Sequence, residues 1–305
     1  MARSWSRTVP ALVFAATMAV ASVAVHAQES ASWASVEQAM GRSGAPQPGG
    51  VMKFAFPRRD LHVMVGDVAV RPSLALGGWV AFKQTAGGTA MVMGDLVLTE
   101  DEIGPVMSAL QQGGIEETAL HNHLLGGVPN TMYLHIVAHG NAAALARAIR
   151  HALEASKTPL DTASAGPPPS FDLDTTAIEK ALGYRGRIAG GVYQVGVPRA
   201  ERIMEDGDEV PASMGTATSI NFQPTGNGEA AITGDFVLVG SEVNPVIRAL
   251  RDNGIAVTAL HSHMIGETPR LFFMHYWAVD DATKLARGLA AALAKTHSVA
   301  PNAKP

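Results

Sequence analysis

The chain's apolar and polar positions fall into two stretches with the same rhythm. In the first, Val36 to Met40 has the period of a short helix. Apolar runs at Val51 to Phe56, Leu61 to Val65 and Leu76 to Lys83 predict strands. Gly87-Gly88 marks a turn that leads into Ala90 to Leu98 as a hairpin. A helix then ends at Gly113-Gly114, with Val106, Ala109 and Leu110 on one side and Pro105 expected near its start, where a missing N–H costs little. Ile115 to Leu124 and Met132 to Ala138 predict two strands around a loop at 125–130. Ala142 to Leu153 is an amphipathic helix that turns Leu145, Ile149, Ala152 and Leu153 inward. The order β-β-β-β-α-β-β-α predicts an α+β fold, a mainly antiparallel sheet with two main helices, and its β-α-β-β-α part suggests a ferredoxin-like core.

The second stretch repeats the first. Gly94-Asp95-Leu96-Val97-Leu98 matches Gly234-Asp235-Phe236-Val237-Leu238, and Thr118 to His123 matches Thr258 to His263. At a constant offset of 140, about 26 of the 60 positions from Gly94 to Leu153 are identical. A weaker match runs upstream, with Gly49-Gly50-Val51 against Gly190-Gly191-Val192. Two copies of this length indicate a duplicated domain rather than a solenoid. The expected domains are 33–157 and 172–298, joined by a linker over 158–171 that contains Pro167-Pro168-Pro169 and should be semi-rigid.

The first 27 residues read as a signal peptide: Arg3 and Arg7, an apolar run from Val9 to Ala24, then Val25-His26-Ala27 as a cleavage site before Gln28. The run is short for a bilayer span. The expectation is an extracytoplasmic protein, periplasmic or secreted, soluble after cleavage and without a membrane span. The 305 residues contain no cysteine, so stability must come from packing. A net charge of −4 with scattered Lys and Arg gives no basic surface for nucleic acid. No nucleophile elbow, phosphate-binding loop, dinucleotide fingerprint or His-Glu-x-x-His is present.

The residues that carry chemistry are histidines. His121 and His123 are two apart on a strand and share a face. A hairpin loop centred near Val128 would set His121 opposite His135 and His123 opposite Tyr133, and His261, His263 and His275 repeat the arrangement. Three imidazoles on neighbouring strands suit an open site for a divalent transition metal: zinc, copper or nickel. More than half of the surrounding positions differ between the copies, yet all six histidines are kept, whereas His139 and His151 are not repeated. The competing reading is a hydrogen-bonded structural cluster.

Other shared residues invite plainer readings. Asp95 and Asp235 suit a turn or bulge, or a role orienting a ligand histidine. Glu102 and Glu242 suit a helix start. Arg58 and Arg199 suit surface salt bridges, and Met132, Met264 and Met274 suit core packing. Glu267 could act as a base, but Gly127 takes its place in the first copy.

The stretches Glu242-Val243-Asn244-Pro245-Val246, Thr258 to Met264 and Pro269 to His275 resemble the LppY/LpqO family of bacterial exported proteins and lipoproteins. That resemblance implies a domain of unknown function and no reaction, and with no cysteine to lipidate it implies no lipid anchor here. Two classes of function stay open. One is a metal protein, hydrolase-like, that uses metal-bound water. The other is a non-enzymatic module that binds a small molecule or an extracytoplasmic protein. No catalytic residue is assigned.

Overall fold

The computed structural model describes Met1, residues 33–161 and residues 169–300. Apart from Met1, the expected signal peptide lies outside the described residues, as does the middle of the linker.

The first copy has sheet strands β1 (Ala45–Gln47), β2 (Val51–Pro57), β3 (Gly77–Gln84), β4 (Ala90–Thr99), β5 (Glu116–His121) and β6 (Thr131–Gly140). Its helices are α1 (33–40), α2 (Glu100–Gln112) and α3 (Ala142–Glu154). The second copy repeats them as β7 (Arg187–Ala189), β8 (Val192–Pro198), β9 (Ala217–Gly226), β10 (Glu229–Val239), β11 (Ala256–His261) and β12 (Leu271–Asp281), with α4 (Thr175–Leu182), α5 (Gly240–Asp252) and α6 (Ala282–Leu293). Each copy forms one antiparallel sheet, ordered β1-β2-β3-β4-β6-β5 and β7-β8-β9-β10-β12-β11. The α+β fold in two tandem copies is therefore as expected. In β4-α2-β5-β6-α3 the two strands joined by α2 lie parallel with β6 between them, the split β-α-β of a ferredoxin-like core.

Three local expectations need correction. Of Leu61 to Val65, only Met64–Val65 is a strand, in a small hairpin with Val68–Ala69. The strand expected to reach Leu124 stops at His121. Pro105 is inside α2 rather than near its start, because Thr99 and Glu102 form a capping box that begins the helix at Glu100.

Strand periodicity decides the layers. Along β6, Leu134, Ile136 and Ala138 pack on the helices, while Tyr133 and Val137 face the other way. Along β12, Met274 and Tyr276 face the helices and Phe273 faces away. Each copy thus has its own helix-on-sheet core. The opposite sheet faces share two further apolar clusters with residues of both copies, such as Met93 with Met264 and Val97 with Val192. The order is helices, sheet, sheet, helices. Hydrogen bonds lock the middle: Gln223 accepts from the Arg71 amide at 2.8 Å and donates to the Ala69 carbonyl at 2.8 Å. No helix among the described residues is long and apolar enough to cross a membrane.

Arg58 and Arg199 are not surface residues. Arg58 is fully buried, with Nη1 at 2.8 Å from the Val97 carbonyl and 2.6 Å from Glu102, and its other side against Asp60. Arg199 does the same with Val237, Glu242 and Glu201. These forks tie β2 to β4 and α2, and β8 to β10 and α5. Hydrogen bonds to the carboxylates keep both guanidiniums charged despite burial. Removing one partner of a buried pair strands the other charge. Arg58→Met should therefore cost about 3–5 kcal/mol in urea unfolding. Arg202→Met, which breaks an exposed pair with Glu209, should leave the urea midpoint almost unchanged.

Candidate metal centre

The strand faces that meet between the sheets carry the histidines. His135 is central in β6 and pairs across the ladder with Asp95 of β4; His275 of β12 pairs with Asp235 of β10. Both aspartates are mid-strand, so the turn or bulge reading is wrong for them. The preceding glycines are needed for space. A Cβ on Gly234 would lie 2.0 Å from the Ser219 carbonyl oxygen and 2.6 Å from the Tyr276 hydroxyl. The Gly234 carbonyl in turn faces His275 Nδ1 at 2.8 Å, which holds the proton on Nδ1 and leaves Nε2 as an acceptor.

The expected pairing of His121 with His135 is displaced. A bulge lies between Glu117 and Ala119, His135 pairs with Ala119, and His121 pairs with Tyr133. The ladder is centred at 127 rather than 128, and His123 lies just beyond the strand end. Long imidazole side chains span the difference: His121 Nε2 and His135 Nε2 are 2.9 Å apart. In the second copy the 2.9 Å contact joins His263 Nε2 to His261 Nε2.

The two triads are not separate. Rings of opposite copies meet in three pairs: His121 with His261 at 3.5 Å between centroids and His135 with His263 at 3.7 Å, both stacked, and His123 with His275, tilted, at 3.6 Å. Exchanging the copies returns the first pair to itself and interchanges the other two, so the site lies on the approximate twofold axis of the duplication. The edge strands meet there, with Thr118 Oγ1 donating to the His263 carbonyl at 2.5 Å. Ligand atoms of His121, His135, His261 and His263 lie within 4.8 Å of one another, and so do those of His121, His123 and His275. Asp95 groups in the same way with His123 and His135, and Asp235 with His263 and His275. These groups could hold a metal.

Electrostatics favour neutral imidazoles. Burial pushes His121 down to about 4 and His275 down to about 3, with the charge of His121 adding to the effect on His275. Burial, then the neighbouring histidines, hold His123, His135, His261 and His263 well below the usual range. Burial raises Asp95 to about 7, partly opposed by Lys53, and raises Asp235 well above an ordinary carboxylate. Six buried polar atoms here have no protein partner: His121 Nδ1, His123 Nε2, His261 Nδ1, His275 Nε2, Asp95 Oδ1 and Asp235 Oδ1. Each such atom costs about 1–3 kcal/mol unless something satisfies it.

Other candidates lie elsewhere. Buried Glu267 accepts from the Leu271 amide at 2.8 Å and from Arg270 at 3.2 Å, so it braces the loop. Met274 packs on the helix side, away from the histidines. His139 sits 4.0 Å from Asp208, and His151 is exposed beside Glu154. Sequence reading set Tyr133 opposite His123 but did not identify the aromatic platforms: Tyr133 stacks on His123 at 3.3 Å, and Phe273 on His263 at 3.5 Å. They share an offset of 140, but the change from Tyr to Phe conceals the repeat.

Comparison with known proteins adds little chemistry. No curated protein matches the chain. Among solved structures, a trimeric bacterial microcompartment shell protein, PduB, aligns at 14% identity and TM-score 0.23, over 85% of this chain and 96% of that one. EtuB from Clostridium kluyveri aligns at 10% identity and TM-score 0.20, over 83% and 90%. Likenesses this weak carry no argument. The resemblance to the LppY/LpqO family is overturned, because the family model that matches is another one. The motifs behind that resemblance are short segments around the histidines and one helix start, too few positions to assign a family. The model that matches spans both copies, residues 34–155 and 176–295, and the chain belongs to the family described as Domain of Unknown Function (DUF1259).

Proposed function

We propose that this is an exported metal-binding protein, with its mature chain starting near Gln28 and its domains at 33–157 and 172–298 about a linker at 158–171. Its two histidine triads, His121, His123 and His135 with His261, His263 and His275, form one shared centre for divalent transition metal. The observation that carries this reading is the convergence of neutral, buried imidazoles from both copies, with unpartnered nitrogen and carboxylate atoms among them. His135 and His263 serve one position, His123 and His275 the other, and His121 and His261 lie between, with Asp95 and Asp235 as the anionic ligands.

Two nitrogen pairs in the centre stand 2.9 Å apart. Nitrogen sites generally bind copper(II) more tightly than nickel(II) or zinc. Such an ion, when bound, can activate water or polarise a ligand, as hydrolase-like chemistry needs. The same 2.9 Å contacts favour a second reading, a hydrogen-bonded structural cluster in a non-enzymatic binding or interaction module.

Titration of EDTA-dialysed protein with copper, nickel and zinc separates the two readings. Saturable binding at micromolar metal is expected, tighter for copper than for zinc. His135→Ala and His263→Ala should damage the same ion, so the double variant should lose little more than either single one. Combining His135→Ala with His123→Ala should remove both ions. No saturable binding by the wild type leaves the structural cluster.

A further inference from the structure

We propose that the space beside the histidine centre binds a small hydroxylated organic anion, with Lys53 of the first copy holding its carboxylate and a polar wall of the second copy holding its hydroxyls. The proposal rests on the metal-centre reading only for what the far end of the ligand meets.

A cavity of about 500 Å³ opens between the two sheets, and Asp95, His135, Asp235 and His275 are among the residues that line it. That volume suits a small organic ligand. Around the histidines the copies agree, but along the cavity walls they do not. Trp79 stands opposite Asp95 in its ladder, and Ser219 stands opposite Asp235. Ala81 stands opposite Met93, and Asn221 opposite Thr233. Ala81 and Met93 belong to the apolar cluster between the sheets, whereas Ser219, Asn221 and Thr233 line the cavity. Lys53, beside Ala81, corresponds to Gln194, beside Asn221. The duplication kept its symmetry at the histidines and lost it at the walls. A symmetric ion needs the first, and a ligand with one charged end needs the second.

Lys53 carries the charge. Its Nζ sits 3.9 Å over the Trp79 ring, and its hydrogen bond to the Ser213 carbonyl is long, at 3.4 Å. An ammonium has three donors, so donors remain for a ligand. Burial pushes this ammonium down to about 8, with Asp95 opposing and Arg187 adding to the shift. A desolvated cation is stabilised by an incoming anion. Arg187, exposed and also lining the cavity, has the sign that draws such a ligand in. Gln194, Ser219, Asn221 and Thr233 supply neutral donors and acceptors matched to hydroxyls.

D-Gluconate and D-glucitol test this, because they share a carbon skeleton and hydroxyls and differ at the carboxylate. Calorimetric titration of EDTA-dialysed protein at pH 7 should show saturable gluconate binding, with glucitol at least tenfold weaker. Lys53→Met should weaken gluconate at least tenfold and leave glucitol unchanged, and Lys53→Arg should stay within about threefold of wild type. The far-ultraviolet circular dichroism of Lys53→Met should match wild type, which checks that the variant is folded, and nickel should still bind it saturably. Should Lys53→Met fail to fold, the wild-type comparison of the two sugars decides alone. Equal binding of both compounds, binding of neither, or gluconate affinity indifferent to Lys53→Met overturns the proposal, the last meaning that Lys53 only balances Asp95. Gluconate binding with this pattern but no nickel binding overturns the metal centre and leaves the anion site.

Discussion

Metal-free protein should unfold steeply as pH falls below about 6.5. An imidazole has a pKa of about 6.5 in an unfolded chain. In the fold, burial lowers all six, to about 4 for His121 and about 3 for His275. Between the folded and unfolded values the unfolded chain binds more protons, so stability is present above about 6.5 and is lost as pH drops. Asp95 and Asp235 act in the other direction. Their raised values give the folded chain up to two extra protons between about pH 4 and pH 7. The six imidazoles outweigh the two carboxyls, so the unfolded chain still binds more protons near pH 5 and the unfolding constant should rise steeply as pH falls, before local opening relieves it. Urea midpoints measured in EDTA at pH 8, 6.5, 5.5 and 5 check this. Bound metal binds only the folded arrangement and should move the loss to lower pH. A midpoint that stays level from pH 8 to pH 5 would show that the histidines are solvated, and the centre as described could not stand.

The sequence disclosed the duplication, the element order and all six histidines, because each leaves a local mark. Strand alternation fixes which face His135 takes, and the kept triad stands out against divergent neighbours. The meeting of the two triads left no such mark. It depends on the faces of two sheets choosing each other over solvent, and those faces read only as apolar strands: Met91, Met93 and Val137 in one copy, Phe273 and Leu271 in the other. The register of His121 was lost to a bulge between Glu117 and Ala119, which no residue type announces. Arg58 looked like a surface residue because arginine is seldom fully buried. Its partners, Glu102 and the Val97 carbonyl, lie about 40 positions away. Lys53 was illegible for the opposite reason: its counterpart in the second copy is Gln194, so no repeated lysine drew attention to it, and that change of residue makes it informative.

The aspartates should give the clearest sign that the centre is built for a cation, because one substitution should move stability and metal affinity in opposite directions. Asp95 and Asp235 are mid-strand, beside His135 and His275 in their ladders, each with an unpartnered oxygen. A carboxyl group whose pKa is raised from 3.8 to about 7 penalises the fold at pH 8, where it must be ionised, and does not below pH 4, where both states are protonated. For Asp95 that penalty is roughly 4 kcal/mol at most, at about 1.4 kcal/mol per pKa unit. Asp95→Asn keeps the shape and removes the charge. Metal-free Asp95→Asn should therefore be more stable than wild type at pH 8, by about 1–4 kcal/mol, with the gain vanishing near pH 4. Asp235→Asn should behave the same way. In a structural cluster without a metal, either change would be neutral or favourable throughout. In a metal centre the lost anion should weaken binding by about 10–100-fold, as loss of a close carboxylate around a metal site does. Calorimetric metal titration beside urea unfolding of the same two variants reads both effects. Greater stability with undiminished affinity would remove the aspartates from the centre, and lower stability at pH 8 would contradict the electrostatics of the whole cluster.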